Sequence, residues 1–108
     1  MLYRTCLKDN MRGAIVVDAL HGFFGSGQDF VPLQKHCEFV FRAWDLLGFG
    51  RSASQSTAEL TLDRQLESLE LGHSSHLLGY SMGGRLALQW AVRHPEDLQS
   101  LVVIGGHP

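Results

Sequence analysis

Long hydrophobic runs are missing from this chain: no apolar stretch approaches the roughly 20 residues that a membrane-spanning helix needs. The opening MLYRTCLKDNMR has no apolar core of signal-peptide length, so the sequence reads as cytoplasmic, with no membrane partner. Cysteine is scarce. Cys6 and Cys37 are far apart and form no CxxC pair, which argues against a zinc knuckle or redox motif and favours idle thiols over a disulfide. An excess of one charge is lacking too, since 9 Lys and Arg face 11 Asp and Glu for a formal net charge of -2. That balance gives no reason to expect nucleic acid as a partner, and a neutral or small charged molecule fits better. No repeat, low-complexity tract or linker divides the 108 residues, so one domain is expected, large enough to bury roughly 65% of its unfolded surface. Nothing sets the oligomeric state.

Short apolar runs alternate with segments of helical period. AIVVDAL (Ala14 to Leu20), EFVFRAW (Glu38 to Trp44), SSHLLGY (Ser74 to Tyr80) and LQSLVVIGG (Leu98 to Gly106) read as buried strands. Helices are expected between them in GQDFVPLQKHC, in TAELTLDRQLESLELG and in MGGRLALQWAVRHP. The second places Leu62, Leu66 and Leu69 on one face before Gly72, and the third ends at His94 because Pro95 disfavours helix there. Strand, helix, strand, helix implies an α/β fold with a mostly parallel sheet and helices on both faces. LYRTCL fits a first edge strand, with KDNMRG as the turn of an initial hairpin. Asp18 interrupts an otherwise apolar strand. An unpaired buried carboxylate is costly, so either Asp18 has a partner or the strand is less buried than its neighbours suggest.

Chemistry concentrates where the third strand gives way to the third helix. In Gly79-Tyr80-Ser81-Met82-Gly83 a serine sits between glycines at a strand-to-helix turn, the setting in which a strained backbone pushes a hydroxyl out as a nucleophile. The pentapeptide alone is a weak signal; the strand before it and the helix after it strengthen it. An activated serine needs N–H donors for a developing oxyanion. Met82 at the helix start supplies one, and Phe23 in LHGFFGSG, after the first central strand, is placed to supply another. His21 reads either as a structural histidine under that loop or as a contact to substrate. Gly22, Gly25 and Gly27 lack the Lys-Ser/Thr of a phosphate loop. Gly48, Gly50 and Ala53 have the spacing of a dinucleotide fingerprint, but a polar loop follows where a helix is required, so DLLGFGRSA reads as a loop beside the pocket.

Taken together, LHGFFGSGQDF, WDLLGFGRS and LLGYSMGGRLALQWAVRHPEDLQSLVVIGG resemble the α/β-hydrolase superfamily in order and spacing, from about Ala14 onward. Within it, HGFFGSGQDF, Arg85 in GYSMGGR and the terminal GGHP resemble the menaquinone-pathway lyases that form 2-succinyl-6-hydroxy-2,4-cyclohexadiene-1-carboxylate. The resemblance implies Ser81 as catalytic residue, Phe23 and Met82 as oxyanion hole, and Arg85, with Tyr80 and His21, as binding residues for a small carboxylate substrate. Arg85 alone reads as a solvated helix arginine, and Tyr80 as packing beside the turn. The reaction implied is proton abstraction with expulsion of pyruvate. No metal or organic cofactor is implied. Leu47 and Phe49 stand where the family has proline and histidine, so a less rigid loop and a lost histidine contact are expected there.

A serine of this kind works with a histidine oriented by an acid, in the order Ser, Asp, His. His94, Glu96 and Asp97 lie about 20 Å away, at 1.5 Å per helical residue, and His107 in GGHP is not the family's catalytic histidine. The expectation is a truncated chain, the N-terminal part of one domain ahead of its cap and last strands, with little activity of its own. Two alternatives stay open: a serine esterase, thioesterase or carbon–carbon bond hydrolase, and a non-catalytic binding remnant.

Overall fold

A computed structural model describes residues 2–9, 13–55, 61–72 and 75–105. Five strands form one sheet: β1 (Arg4–Cys6), β2 (Val16–Leu20), β3 (Val40–Trp44), β4 (Ser75–Tyr80) and β5 (Leu98–Ile104), in the order β1-β3-β2-β4-β5. The pairings β2 with β3, β2 with β4 and β4 with β5 are parallel, and β1 joins β3 antiparallel. Among the described residues, three α-helices, α1 (Val31–Gln34), α2 (Leu62–Ser68) and α3 (Met82–Arg93), lie between the strands.

Side-chain alternation divides the sheet into two apolar layers. Leu20, Trp44 and Leu77 face Leu66 of α2 and Leu86, Ala87 and Trp90 of α3. On the opposite face, Ala19, Phe41, Ala43 and Leu78 pack with Phe30, which leads into α1. Helical segments therefore cover both faces of a mostly parallel sheet, as the alternating pattern predicts.

Three details differ from the sequence reading. The first strand is an edge strand, but among the described residues it pairs with β3 and not β2, Arg4 opposite Trp44, which is not the expected hairpin; residues 10–12 of the expected turn lie outside the described residues. GQDFVPLQKHC is a 3-10 turn over Gly27–Phe30, capped by Ser26, followed by only four residues of α-helix. α2 stops at Ser68 because Leu69 turns extended (φ -81°, ψ 127°), and Leu69 and Leu71 reach the core from outside the helix. The expected helix over residues 57–60, the strand residues Ser74 and Gly106, and His107 lie outside the described residues. Cys6 is exposed, Cys37 is half-buried, and both are free.

Asp18 does have a partner. Its carboxylate is 1% exposed and accepts from Arg42 Nε at 2.6 Å and Nη2 at 2.9 Å and from Trp44 Nε1 at 2.8 Å. Arg42 sits directly opposite it on β3, and the Asp18 hydrogen bond raises the guanidinium pKa further against the opposing effect of burial. The carboxylate is thus compensated by a bidentate pair within the sheet.

Candidate active site

Parallel β2, β3 and β4 end together, at Leu20, Trp44 and Tyr80, and the three segments that leave them meet at one rim. Ser81 lies between β4 and α3 with φ 55° and ψ -112°. A β-substituted residue rarely adopts positive φ, and here the cost is sustained by close packing on both sides. A Cβ on Gly79 would stand 2.3 Å from Gly83 O, and one on Gly83 would stand 2.1 Å from Leu20 O. Only hydrogen fits at either position, so α3 descends directly onto the ends of β4 and β2. The Ser81 N–H donates to Ile104 O at 2.8 Å, which ties the turn to β5. Ser81 is exposed, and no described side chain hydrogen-bonds its hydroxyl.

Met82 is the first residue of α3. Its N–H has no acceptor within the helix, and it stands at the positive end of the helix dipole, beside the serine. The other candidate donor, Phe23, follows Gly22, whose ideal Cβ would lie 3.5 Å from Ser81 Cβ and 3.2 Å from the Tyr80 ring. The loop after β2 therefore lies against the serine turn. Tyr80 is 53% exposed at this rim. Arg85 begins one turn into α3, where its N–H donates to Ser81 O at 3.0 Å. Its side chain is exposed and has no ion-pair partner among the described residues.

His21 is fully buried. Nδ1 donates to Gly22 O at 2.7 Å, and Nε2 accepts from the Leu46 N–H at 3.0 Å, an arrangement that fixes the tautomer. Burial lowers its pKa, partly offset by the Gly22 hydrogen bond and by Asp29 and Asp45. A neutral ring with both nitrogens occupied has no polar atom left for a ligand, so the geometry favours the loop-fixing reading of His21.

Sequence reasoning missed Asp45. Buried just after β3, it accepts from Gly27 N at 2.7 Å, Arg51 N at 3.0 Å and Arg51 Nε at 3.1 Å. Burial pushes its carboxyl up, but these hydrogen bonds and the Arg51 charge outweigh that and hold it below its ordinary range. A Cβ on Gly50 would meet Asp45 Cγ at 2.8 Å, and one on Gly27 would meet Asp45 Oδ1 at 3.1 Å. An acid at the end of a strand with glycines in both loops it must reach was the available signal. Phe49 also departs from the looser loop expected of it. It is 8% exposed and packs edge-on against His21, with centroids 5.7 Å apart.

A cavity of about 580 Å³ opens beside Tyr80, walled largely by Phe30, Pro32, Leu33, Leu78 and Ile104, with His21, Gln28 and Asp29 as further lining residues. Among the described residues, no group of three or more His, Cys, Asp or Glu side chains is arranged to hold a metal ion. No helix is long and apolar enough to cross a membrane among those residues.

Comparison with known proteins agrees with this geometry. Residues 16–108 match the family described as alpha/beta hydrolase fold. The chain is 42% identical over 99 residues to a 2-succinyl-6-hydroxy-2,4-cyclohexadiene-1-carboxylate synthase of Pectobacterium atrosepticum, covering 82% of this chain and 38% of that protein. It is 31% identical over 104 residues to Lipase 3 of a Moraxella species, covering 89% of this chain and 33% of the relative. In structure it resembles a marine microorganism esterase with a TM-score of 0.76 at 24% identity, over 94% of this chain and 40% of the esterase. The chain thus spans well under half the length of each of these proteins.

Proposed function

The chain belongs to the alpha/beta hydrolase fold family, and from that premise we propose that it carries the nucleophile-bearing part of an enzyme acting on a small carboxylate molecule. Residues 1–108 are, on this reading, the N-terminal part of one domain. The observation that carries it is the Ser81 turn, an exposed serine at φ 55° heading a helix. In our reading the Met82 and Phe23 N–H groups stabilise negative charge that develops on the substrate, where preorganised donors cost no reorganisation. Arg85, exposed and without a partner among the described residues, takes a substrate carboxylate through its planar fork. Tyr80 flanks the substrate, and His21 positions the Phe23 loop from below.

The finer proposal is the lyase reaction: removal of a substrate proton by a base paired with Ser81, then expulsion of pyruvate. Similarity to the Pectobacterium synthase and the position of Arg85 support it. The second reading is hydrolysis through an acyl-serine, favoured by the apolar cavity beside Tyr80. Two assays on the protein as its source cells make it separate them. The lyase reading expects pyruvate release that Ser81→Ala abolishes, with Arg85→Ala raising KM at least about tenfold, the loss of roughly one charge-assisted contact. Hydrolysis of neutral esters that ignores Arg85→Ala, without pyruvate release, would overturn it in favour of the second.

A further inference from the structure

The loop that carries the Phe23 N–H has two feet, and both stand on the same pair of residues. At the near foot His21 Nε2 accepts from the Leu46 N–H at 3.0 Å, while Nδ1 donates to Gly22 O at 2.7 Å. At the far foot the Gly27 N–H donates to Asp45 Oδ1 at 2.7 Å. Asp45 and Leu46 directly follow β3, so the loop that leaves β2 is braced at both ends by the chain that leaves its neighbour.

Between the feet the restraints are few. The Gly25 N–H donates to Gly22 O at 3.0 Å, Ser26 caps the short 3-10 turn that follows, and the Phe23 ring rests edge-on against buried Phe49 with centroids 5.4 Å apart. Phe23 is otherwise 60% exposed and Phe24 84% exposed, yet Phe24 keeps φ 63°. A strained conformation persists only where its surroundings over-determine it. Much of that restraint enters through the feet.

The far foot depends on one carboxylate that serves two loops. Asp45 binds the β2 loop through Oδ1, and through Oδ2 it takes both the Arg51 N–H and Nε. Arg51 is steadied in turn by the Thr5 hydroxyl and by the Tyr3 ring, whose centroid lies 5.2 Å from its guanidinium carbon. Glycine lets both backbones approach: a Cβ on Gly27 would stand 3.0 Å from Ala43 Cβ, and one on Gly50 would stand 2.8 Å from Asp45 Cγ.

We infer that Asp45 is a positioning residue for the site: by holding Gly27 it fixes the far foot of the loop, and so the direction in which the Phe23 N–H points beside Ser81. The inference rests on the oxyanion-donor reading given above and adds what aims that donor. Asparagine cannot replace the carboxylate. Turned to accept from Gly27 it presents its NH2 to the Arg51 donors, and turned the other way it presents its NH2 to the Gly27 N–H. A misplacement of about 1 Å, even from a change remote from the chemistry, can cost about a hundredfold in rate.

The test uses a fluorophosphonate on the protein as its source cells make it. The Ser81 Oγ–P bond forms as P–F breaks and fluoride leaves, the serine proton passing to its base, and the phosphoryl oxygen takes the place of the oxyanion. Ser81 should be labelled, and Asp45→Asn should slow labelling at least tenfold at a temperature where the variant is fully folded. Val40→Ala, which opens core volume at the other end of β3, should lower Tm but label within twofold of the parent. Hydrogen exchange is the second readout: Asp45→Asn should speed exchange of the Gly25 amide at least tenfold and leave the Leu46 amide within twofold. The proposal is overturned if Asp45→Asn labels within twofold of the parent, if Val40→Ala slows labelling as much, or if Gly25 exchanges no faster. If Asp45→Asn does not fold, the parent decides, because a Gly27 amide that exchanges as fast as an open loop amide overturns the proposal and one as slow as the β2 amides upholds it. If the parent is not labelled at Ser81, the active-site reading falls, and Gly25 exchange still decides whether Asp45 holds the loop.

Discussion

Replacing Gly83 with alanine sets two physical tendencies against each other. On helix propensity alone, alanine is favoured over glycine by about 1 kcal/mol, and Gly83 is the second residue of α3. Packing predicts the reverse. The new methyl would lie 2.1 Å from Leu20 O and 2.6 Å from His21 O, and that first contact has to open to at least 3.0 Å. Neither neighbour can yield by turning a side chain, because both are backbone at the end of β2. That strand is held in register by β3 on one side and β4 on the other. The helix must therefore retreat, and it carries Leu86, Ala87 and Trp90 in the core. A radial gap of about 0.5–1 Å already forfeits a quarter to a half of each dispersion contact, and overpacking by one methyl ordinarily costs about 1–3 kcal/mol.

We expect Gly83→Ala to lose about 3 kcal/mol net, a large share of the roughly 5–15 kcal/mol that stabilises a domain. Urea denaturation would show it as a lower midpoint at unchanged slope. Gly22→Ala is the control. Its new methyl meets the Tyr80 ring at 3.2 Å and Ser81 Cβ at 3.5 Å. That exposed ring can swing aside, so a cost of about 1 kcal/mol or less is expected. A Gly83→Ala protein as stable as the parent would refute the close approach of α3 to β2, and with it the account of how Ser81 is presented.

Four further outcomes follow, three from buried polar groups and one from an exposed ion pair. Burial holds the pKa of His21 below the ordinary histidine value of 6.5, so below that pH the unfolded chain takes up a proton that the folded chain resists. The stability it contributes is complete above pH 6.5 and is lost as pH falls, so His21→Gln should flatten the dependence of Tm on pH between about 7.5 and 5.5. Arg42→Met strands the Asp18 carboxylate, which is 1% exposed, and should cost about 3 kcal/mol by urea denaturation. Arg93→Met, which breaks a pair whose side chains are 48% and 73% exposed, should cost under about 0.5 kcal/mol. Asp45→Asn removes the charge that accepts from Gly27 and Arg51 and should cost about 2 kcal/mol at neutral pH. In the parent, the Asp45 carboxyl is depressed below the ordinary aspartate value of 3.8. Its contribution is therefore present above that pH and lost below it, and thermal melts of parent and variant should converge in acid.

The central strands were legible because a strand buried on both faces must be apolar almost throughout, as Val16–Leu20 and Val40–Trp44 are. The Ser81 turn was legible because the chemistry of a crowded corner leaves only glycine at positions 79 and 83. Pairing was less so. Arg4 to Cys6 alternates between exposed and half-buried as an edge strand does, but nothing in three residues says which strand it will join. The partner of Asp18 lies 24 residues away on a neighbouring strand, a distance at which register, not local pattern, decides contact. Asp45 was hidden for the same reason: its hydrogen bonds run to Gly27 and to Arg51, on two different loops.

What those long-range contacts achieve is a division between relaxed and strained backbone. Gly13, Gly48, Gly50, Gly72 and Gly105 take positive φ at no side-chain cost, whereas among the described residues Phe24 and Ser81 are the two that take it with a side chain attached. Such residues cost about 1–3 kcal/mol each and persist only where their surroundings over-determine them. Here His21 and Asp45 direct their buried polar atoms at loop backbone, Asp45 also taking the Arg51 guanidinium, and Gly79 and Gly83 bring α3 onto the sheet. Strain that arose incidentally would be scattered along the chain. Both strained residues instead flank Gly22, the point at which the loop from β2 meets the turn from β4. The fold is rigid where the sheet, α3 and these two buried side chains meet, and that rigidity lets an exposed serine and an exposed aromatic ring be held in conformations that neither would adopt alone.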